Sequence, residues 1–126
     1  SIVYWFTITQ NALLNYNLGI ISSNENKDEE AKKYFTKAIE NDPKLENAYL
    51  GLANLVLKED GEITNKMNNT GTSAAGQQKF KALKVQKIGI YNKALDYLTE
   101  AKKINSSNTS VNSLIEEIEK YLDSEK

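Results

Sequence analysis

The sequence contains no cysteine, no histidine and no arginine, and it has a single proline among its 126 residues. Without cysteine and histidine, the usual zinc ligands, the thiol nucleophile and the imidazole general base are all missing. Without arginine, no side chain can hold a phosphate or carboxylate in a bidentate pair. These absences predict that the chain is not an enzyme and that it binds neither a metal nor a cofactor.

The sequence also has no large excess of either positive or negative charge. The chain has 16 basic residues, all of them lysine, and 17 acidic ones, for a formal net charge of −1. Such a balance gives no field that would attract nucleic acid or an anionic membrane. No apolar run approaches the ~20 residues that a transmembrane helix needs. We therefore predict a single domain over residues 1–126 that binds no nucleic acid and does not insert into a membrane.

The segment that organises the chain is residues 28–43. Ala31, Phe35 and Ala38 share one face at helical spacing. Because the alanines are small, a second helix can approach closely there while the phenylalanine fills the remaining gap. Asp42 and Pro43 then predict the start of the next helix, as its N-cap and first residue.

On the N-terminal side, residues 11–24 predict a helix whose inner face carries Leu14, Leu18 and Ile21. Asn26, in the polar turn that follows, can adopt a left-handed backbone. Residues 1–10 are β-branched and aromatic, but no second strand exists to pair with them. We expect them to form an N-terminal segment that leads into the first helix and packs under the first helix pair. Alternatively, they form an apolar surface that faces preceding repeats.

Residues 44–58 repeat the pattern of the first helix, with Tyr49, Leu52 and Val56 and the small Gly51 and Ala53. The residues from 18 to 43 resemble the signature of the tetratricopeptide repeat (TPR) family, a helix-turn-helix unit of ~34 residues. The matching positions are Leu18, Gly19, Ala31, Phe35, Ala38 and Pro43. Asn15 and Ser22 stand where the family usually has Trp and Tyr, so the first helix is degenerate. The resemblance implies an all-α, TPR-like superhelix of antiparallel helical hairpins, with a first repeat at residues 11–43.

The second repeat, residues 44–106, departs from the family in its length. Its second helix returns with Ala94, Leu98 and Ala101, but Ala94 lies 63 residues after Ala31. A long insertion therefore occupies about residues 60–89. It is either an elongated hairpin with its tip at Thr70–Gly76 or a decayed extra repeat. We favour the elongated hairpin, which resembles insertions in bacterial TPR proteins of the cell envelope and gives a weak indication of that compartment or the periplasm.

The last segment, residues 107–126, contains an amphipathic helix over 109–124. Val111, Leu114 and Ile118 lie on its apolar side and glutamates on the other. Stacked repeats need such a terminal helix to close the core. We predict a capping helix.

In TPR proteins the first helices of the repeats line a concave groove that holds peptides, and the resemblance assigns groove positions here. These are Leu13, Tyr16, Ile20, Ser23 and Asn24 in the first repeat and Asn47, Leu50, Asn54, Leu57 and Lys58 in the second. Tyr16 and Ile20 occupy places where the chaperone-binding members of the family have a carboxylate clamp, so that clamp is missing.

Two functions follow from this resemblance. The first is a non-catalytic module that binds a peptide or protein segment in the groove. The second is a structural or assembly module that self-associates through the N-terminal apolar face or the long hairpin.

Overall fold

The computed structural model describes residues 1–126, and every regular element in it is an α-helix. The five helices are α1 (Ile2–Asn24), α2 (Asp28–Asn41), α3 (Glu46–Asn68), α4 (Ala74–Ile104) and α5 (Thr109–Ser124). α1 packs on α2, α3 packs along α4, and α5 packs on α4. The all-α fold of helical hairpins, with one elongated hairpin and a capping helix, is confirmed.

The first hairpin is organised around Phe35, as the small-large-small face predicts. Phe35 is fully buried between α1 and α3, flanked by Ala31 and Ala38 on its own helix. A Cβ added at Gly19 would lie 2.6 Å from the Phe35 ring, and one added at Gly51 would lie 2.7 Å from it. The two helices can therefore enclose the ring only because both positions lack a side chain.

The predicted inner face of α1 is wrong. Leu14 and Ile21 are exposed, and the buried positions are Ala12, Gly19 and Ser22. α1 carries apolar residues on more than one side, so periodicity alone does not identify the side that faces α2. Close packing on Phe35 selects the side with the smallest residues.

The first helix also begins earlier than predicted. Residues 1–10 do not form a separate N-terminal segment under the helix pair, because α1 starts at Ile2. The side chain of Ser1 caps it by accepting a hydrogen bond from the backbone N–H of Tyr4 at 3.2 Å. Since α1 has 23 residues and α2 only 14, its first turns project beyond the partner helix, and Ile2 to Phe6 are exposed.

The second hairpin consists of α3 and α4, which remain helical through Gly61 and Gly89. The helices meet at a short turn, residues 69–73, in which Gly71 has a φ of 75°. Ser73 caps α4 by accepting a hydrogen bond from the backbone N–H of Gly76 at 3.0 Å. Ile63 and Ile90 belong to the same core cluster as Leu98. The core therefore extends along the hairpin toward the turn at residues 69–73.

The turn before α3 differs from the prediction. Asp42 follows the end of α2, and α3 begins only at Glu46, so Pro43 lies in the turn rather than in a helix. The Asp42 carboxylate accepts a hydrogen bond from the backbone N–H of Lys44 at 3.0 Å, an Asx-type turn that competes with helix capping. Asn26 adopts the predicted left-handed conformation, with a φ of 61°.

The capping helix α5 spans Thr109–Ser124, as predicted. Val111, Ile115 and Ile118 complete a core cluster with residues of α3 and α4. The turn before α5 is tied to the start of α3, because Glu46 accepts hydrogen bonds from the side-chain amides of Asn105 and Asn108 at 3.0 and 3.1 Å.

Candidate partner-binding surface

The groove positions of α1 form an apolar row beside the buried Phe35. Tyr16 is half-buried and packs on Phe35, with ring centroids 5.8 Å apart. Leu13 and Ile20 lie on either side of it and are 48% and 37% exposed. Asn24 is exposed at the end of the row, and the nearby Ser23 is half-buried. This row therefore offers aliphatic surface above an aromatic ring that the core already holds in place.

The groove positions of α3 divide into two groups. Asn47 and Asn54 are exposed, and none of the side-chain hydrogen bonds in the structure involves either amide. Leu50 and Leu57 are half-buried, because both pack against the core cluster that α3 shares with α4 and α5. The amides therefore remain open to a ligand, whereas most of the leucine surface is used inside the protein.

Lys58 is already paired. Its ammonium group lies 2.9 Å from the carboxylate of Asp28 and 3.5 Å from the backbone carbonyl of Ser23. The pair joins the first residue of α2 to α3 and neutralises the one cation among the groove positions. An acidic ligand therefore finds little net positive charge on this surface.

A second group of polar side chains, in the middle of the long hairpin, was not predicted as a unit. The Tyr91 hydroxyl donates a hydrogen bond to Asp60 at 2.7 Å, and the Lys87 ammonium lies 3.3 Å from the same carboxylate and 2.9 Å from the Thr64 hydroxyl. Burial, together with the hydrogen bond to Asp60, raises the pKa of Tyr91 well above its usual value. The spacing of Asp60 from Thr64 and of Lys87 from Tyr91, one helical turn each, is the signal that could have indicated this cluster.

The cluster serves to attach α5. The Tyr121 ring lies against Tyr91, with centroids 4.7 Å apart, and the Lys87 ammonium is 5.4 Å from the centroid of the Tyr121 ring. Burial raises the pKa of Tyr121 as well. Farther along, Lys84 pairs with Glu125 near the end of the chain. Because these groups satisfy one another, we assign the cluster a structural role.

Two further features bear on the possible ligands. No group of three or more acidic, histidine or cysteine side chains is placed to hold a metal ion. None of the helices is both apolar enough and long enough to cross a bilayer.

The fold and this surface together define a helical-hairpin repeat protein. A family model described as "Tetratricopeptide repeat" matches residues 12–45, which cover most of α1, all of α2 and the turn before α3. Residues 12–45 therefore form a tetratricopeptide repeat. Tetratricopeptide repeats are typically non-catalytic, and they function in protein–protein interaction or as scaffolds. A search among curated proteins finds no significant match to this chain.

Proposed function

We propose that this protein is a non-catalytic interaction module that binds a peptide segment of a protein partner on the surface between α1 and α3. It would need neither a cofactor nor a metal for this function. The observation that carries the proposal is the pairing of an exposed aliphatic row, Leu13 and Ile20, with two unpaired amides, Asn47 and Asn54.

The amides supply the specificity. An asparagine side chain can donate to a peptide carbonyl and accept from a peptide N–H at the same time. Asn47 and Asn54 are two helical turns apart, or about 10.5 Å along α3. That distance is close to the length of three residues of an extended chain, at ~3.3 Å per residue. An extended peptide that runs along α3 can therefore meet both amides.

The aliphatic row supplies the affinity. Leu13 and Ile20 can bury apolar surface against a ligand, and the Tyr16 ring, which packs on Phe35, lies on the same side of α1. Because Lys58 is paired with Asp28, we expect a ligand with apolar and uncharged side chains rather than an acidic one. The groove positions Leu50 and Leu57 would contribute mainly through their half-exposed edges.

The proposal is tested by selecting binders from a random peptide display library with the wild-type protein and measuring the affinity of the most enriched peptide. Asn54→Ala should weaken binding by roughly tenfold, because a hydrogen bond to a peptide group contributes about 1–1.5 kcal/mol. Leu13→Ser should weaken it by a similar factor through lost apolar contact. Tyr16→Ala is a poorer test, since Tyr16 also packs on Phe35 and its removal would disturb the core.

The matched controls lie on α4, away from this surface. Asn92→Ala removes an exposed amide, and Val85→Ser removes an apolar side chain that is 70% exposed. Both should leave the affinity unchanged. Wild-type affinity in Asn54→Ala and Leu13→Ser, or a loss confined to the two controls, would refute the proposed surface.

A further inference from the structure

A second side of α1 is exposed and has no partner within the chain. We call it the outer face and define it by the seven exposed residues Val3, Phe6, Thr7, Gln10, Leu14, Asn17 and Ile21. Phe6, Leu14 and Ile21 are each just over half exposed, and Val3 is 74% exposed. The face shares no residue with the proposed peptide surface. Four of its seven residues are large and apolar, and an exposed apolar cluster of this kind marks an interaction site.

The spacing of the outer face fits another helix. Val3, Gln10 and Asn17 are seven residues apart, and so are Thr7, Leu14 and Ile21. Together the two sets alternate by four and three residues over three heptads. These six positions form one stripe that can lie lengthwise against a second helix. Val3, Leu14 and Ile21 are its apolar contacts, and the other three positions are polar.

The charge of α1 indicates which helix that is. Residues 1–24 include no lysine, aspartate or glutamate, and the first charged side chain is Glu25. A charged partner would gain nothing from such a face and would have to desolvate its own charges. A second copy of α1 meets no repulsion, and its Gln10 and Asn17 amides can both donate and accept hydrogen bonds.

The available area is sufficient for a stable contact. Each of the seven side chains offers on the order of 100 Å², given that an enclosed aromatic residue buries about 150–250 Å². The face therefore supplies roughly 700 Å² per copy, close to the ~800 Å² per partner of a standard specific interface.

From these observations we infer that two copies of the chain form a dimer in which their α1 helices pack antiparallel through the outer face. A two-fold axis makes such a contact self-complementary. In antiparallel packing the two helix dipoles point in opposite directions, which is favourable. The acidic residues that follow α1 then lie at opposite ends of the dimer contact; they are Glu25 and Asp28–Glu30. This packing places Val3 of one copy opposite Ile21 of the other.

The first test is the mass in solution, by light scattering across a dilution series. Wild-type protein should have twice the 14.2 kDa mass of the chain. The double variant Leu14→Glu/Ile21→Glu should be a monomer with unchanged helix content by circular dichroism, because both residues are exposed. The control Val85→Glu, at an apolar position on α4 that is 70% exposed, should remain a dimer. A monomeric wild type, or a dimer that survives the double variant, would overturn the proposal.

The second test addresses the orientation and uses the absence of native cysteine. Under oxidation, the double variant Val3→Cys/Ile21→Cys should give a disulfide-linked dimer on a non-reducing gel, and Val3→Cys alone should not. Efficient cross-linking by the single variant would instead indicate parallel helices and overturn the antiparallel arrangement. Because the outer face and the peptide surface share no residue, the variants of one test leave the residues of the other in place, and either proposal can fail alone.

Discussion

Phe35 and the two glycines that enclose it give the sharpest prediction about stability. In Gly51→Ala the new methyl group would lie 2.7 Å from the tip of the Phe35 ring and 2.9 Å from two further ring carbons. Non-bonded carbons prefer ~3.5–4.0 Å, so the ring or the helix must move by about 1 Å. Phe35 is 1% exposed, so its ring is enclosed by the protein on all sides.

The magnitude is the balance of two effects. Alanine is about 1 kcal/mol better than glycine in a helix interior. Overpacking a tight core costs about 1–3 kcal/mol. At Gly61, in the same helix, an added Cβ meets nothing within 4 Å, so only the first effect operates. Gly61→Ala should therefore raise the free energy of unfolding by ~1 kcal/mol. The free energy of unfolding of Gly51→Ala should be lower than that of Gly61→Ala by about 1–3 kcal/mol.

The assay is urea unfolding followed by circular dichroism, at a protein concentration at which all variants have the same mass in solution. Comparing the two variants cancels the helix propensity, which is common to both. The variant Phe35→Leu provides a double-mutant cycle, and the penalty of Gly51→Ala should shrink in that background. Equal stability of Gly51→Ala and Gly61→Ala would refute the close packing of α3 on Phe35.

The other predictions concern the second hairpin. The folded chain holds the Tyr91 proton more tightly than the unfolded chain, so the free energy of unfolding should fall as the pH rises above about 10. This fall should be shallower in Tyr91→Phe. Identical pH profiles of the two proteins would contradict the burial of the hydroxyl beside Asp60. Glu46→Ala should lower the free energy of unfolding by about 1–3 kcal/mol, because it leaves two half-buried amides unpaired. Glu62→Ala, which removes only an exposed ion pair, should change it by less than ~1 kcal/mol, and equal losses would contradict the assignment. Leu98→Ala should lower the free energy of unfolding by about 2–5 kcal/mol, because it opens a cavity in the core. A decrease below ~1 kcal/mol in the same unfolding assay would be inconsistent with the complete burial of Leu98.

The sequence predicts those parts of the fold in which a helix has one apolar side. In α2 only the face of Ala31, Phe35 and Ala38 is apolar, and that face is buried. In α5 the glutamates mark the outer side equally clearly, and the helix has the predicted bounds. For α1, which has apolar residues on several sides, the periodicity indicates a helix but not the side that α2 covers.

The candidate surface is less predictable, because exposure depends on neighbours that are distant in sequence. The repeat register places Leu57 in the groove, but packing against the core shared with α4 and α5 half-buries it. The register likewise places Lys58 there without indicating that Asp28 would neutralise it. Asn47 and Asn54 are exposed at the positions that the resemblance assigns.

The most direct measurement of peptide binding between α1 and α3 is a nuclear magnetic resonance titration of ¹⁵N-labelled protein with the display-selected peptide. We predict shifts of the side-chain amide signals of Asn47 and Asn54 and of the backbone amides of Leu13 and Ile20. Shifts confined to the far end of the long hairpin, residues 69–85, or to the outer face of α1, would contradict the proposed function.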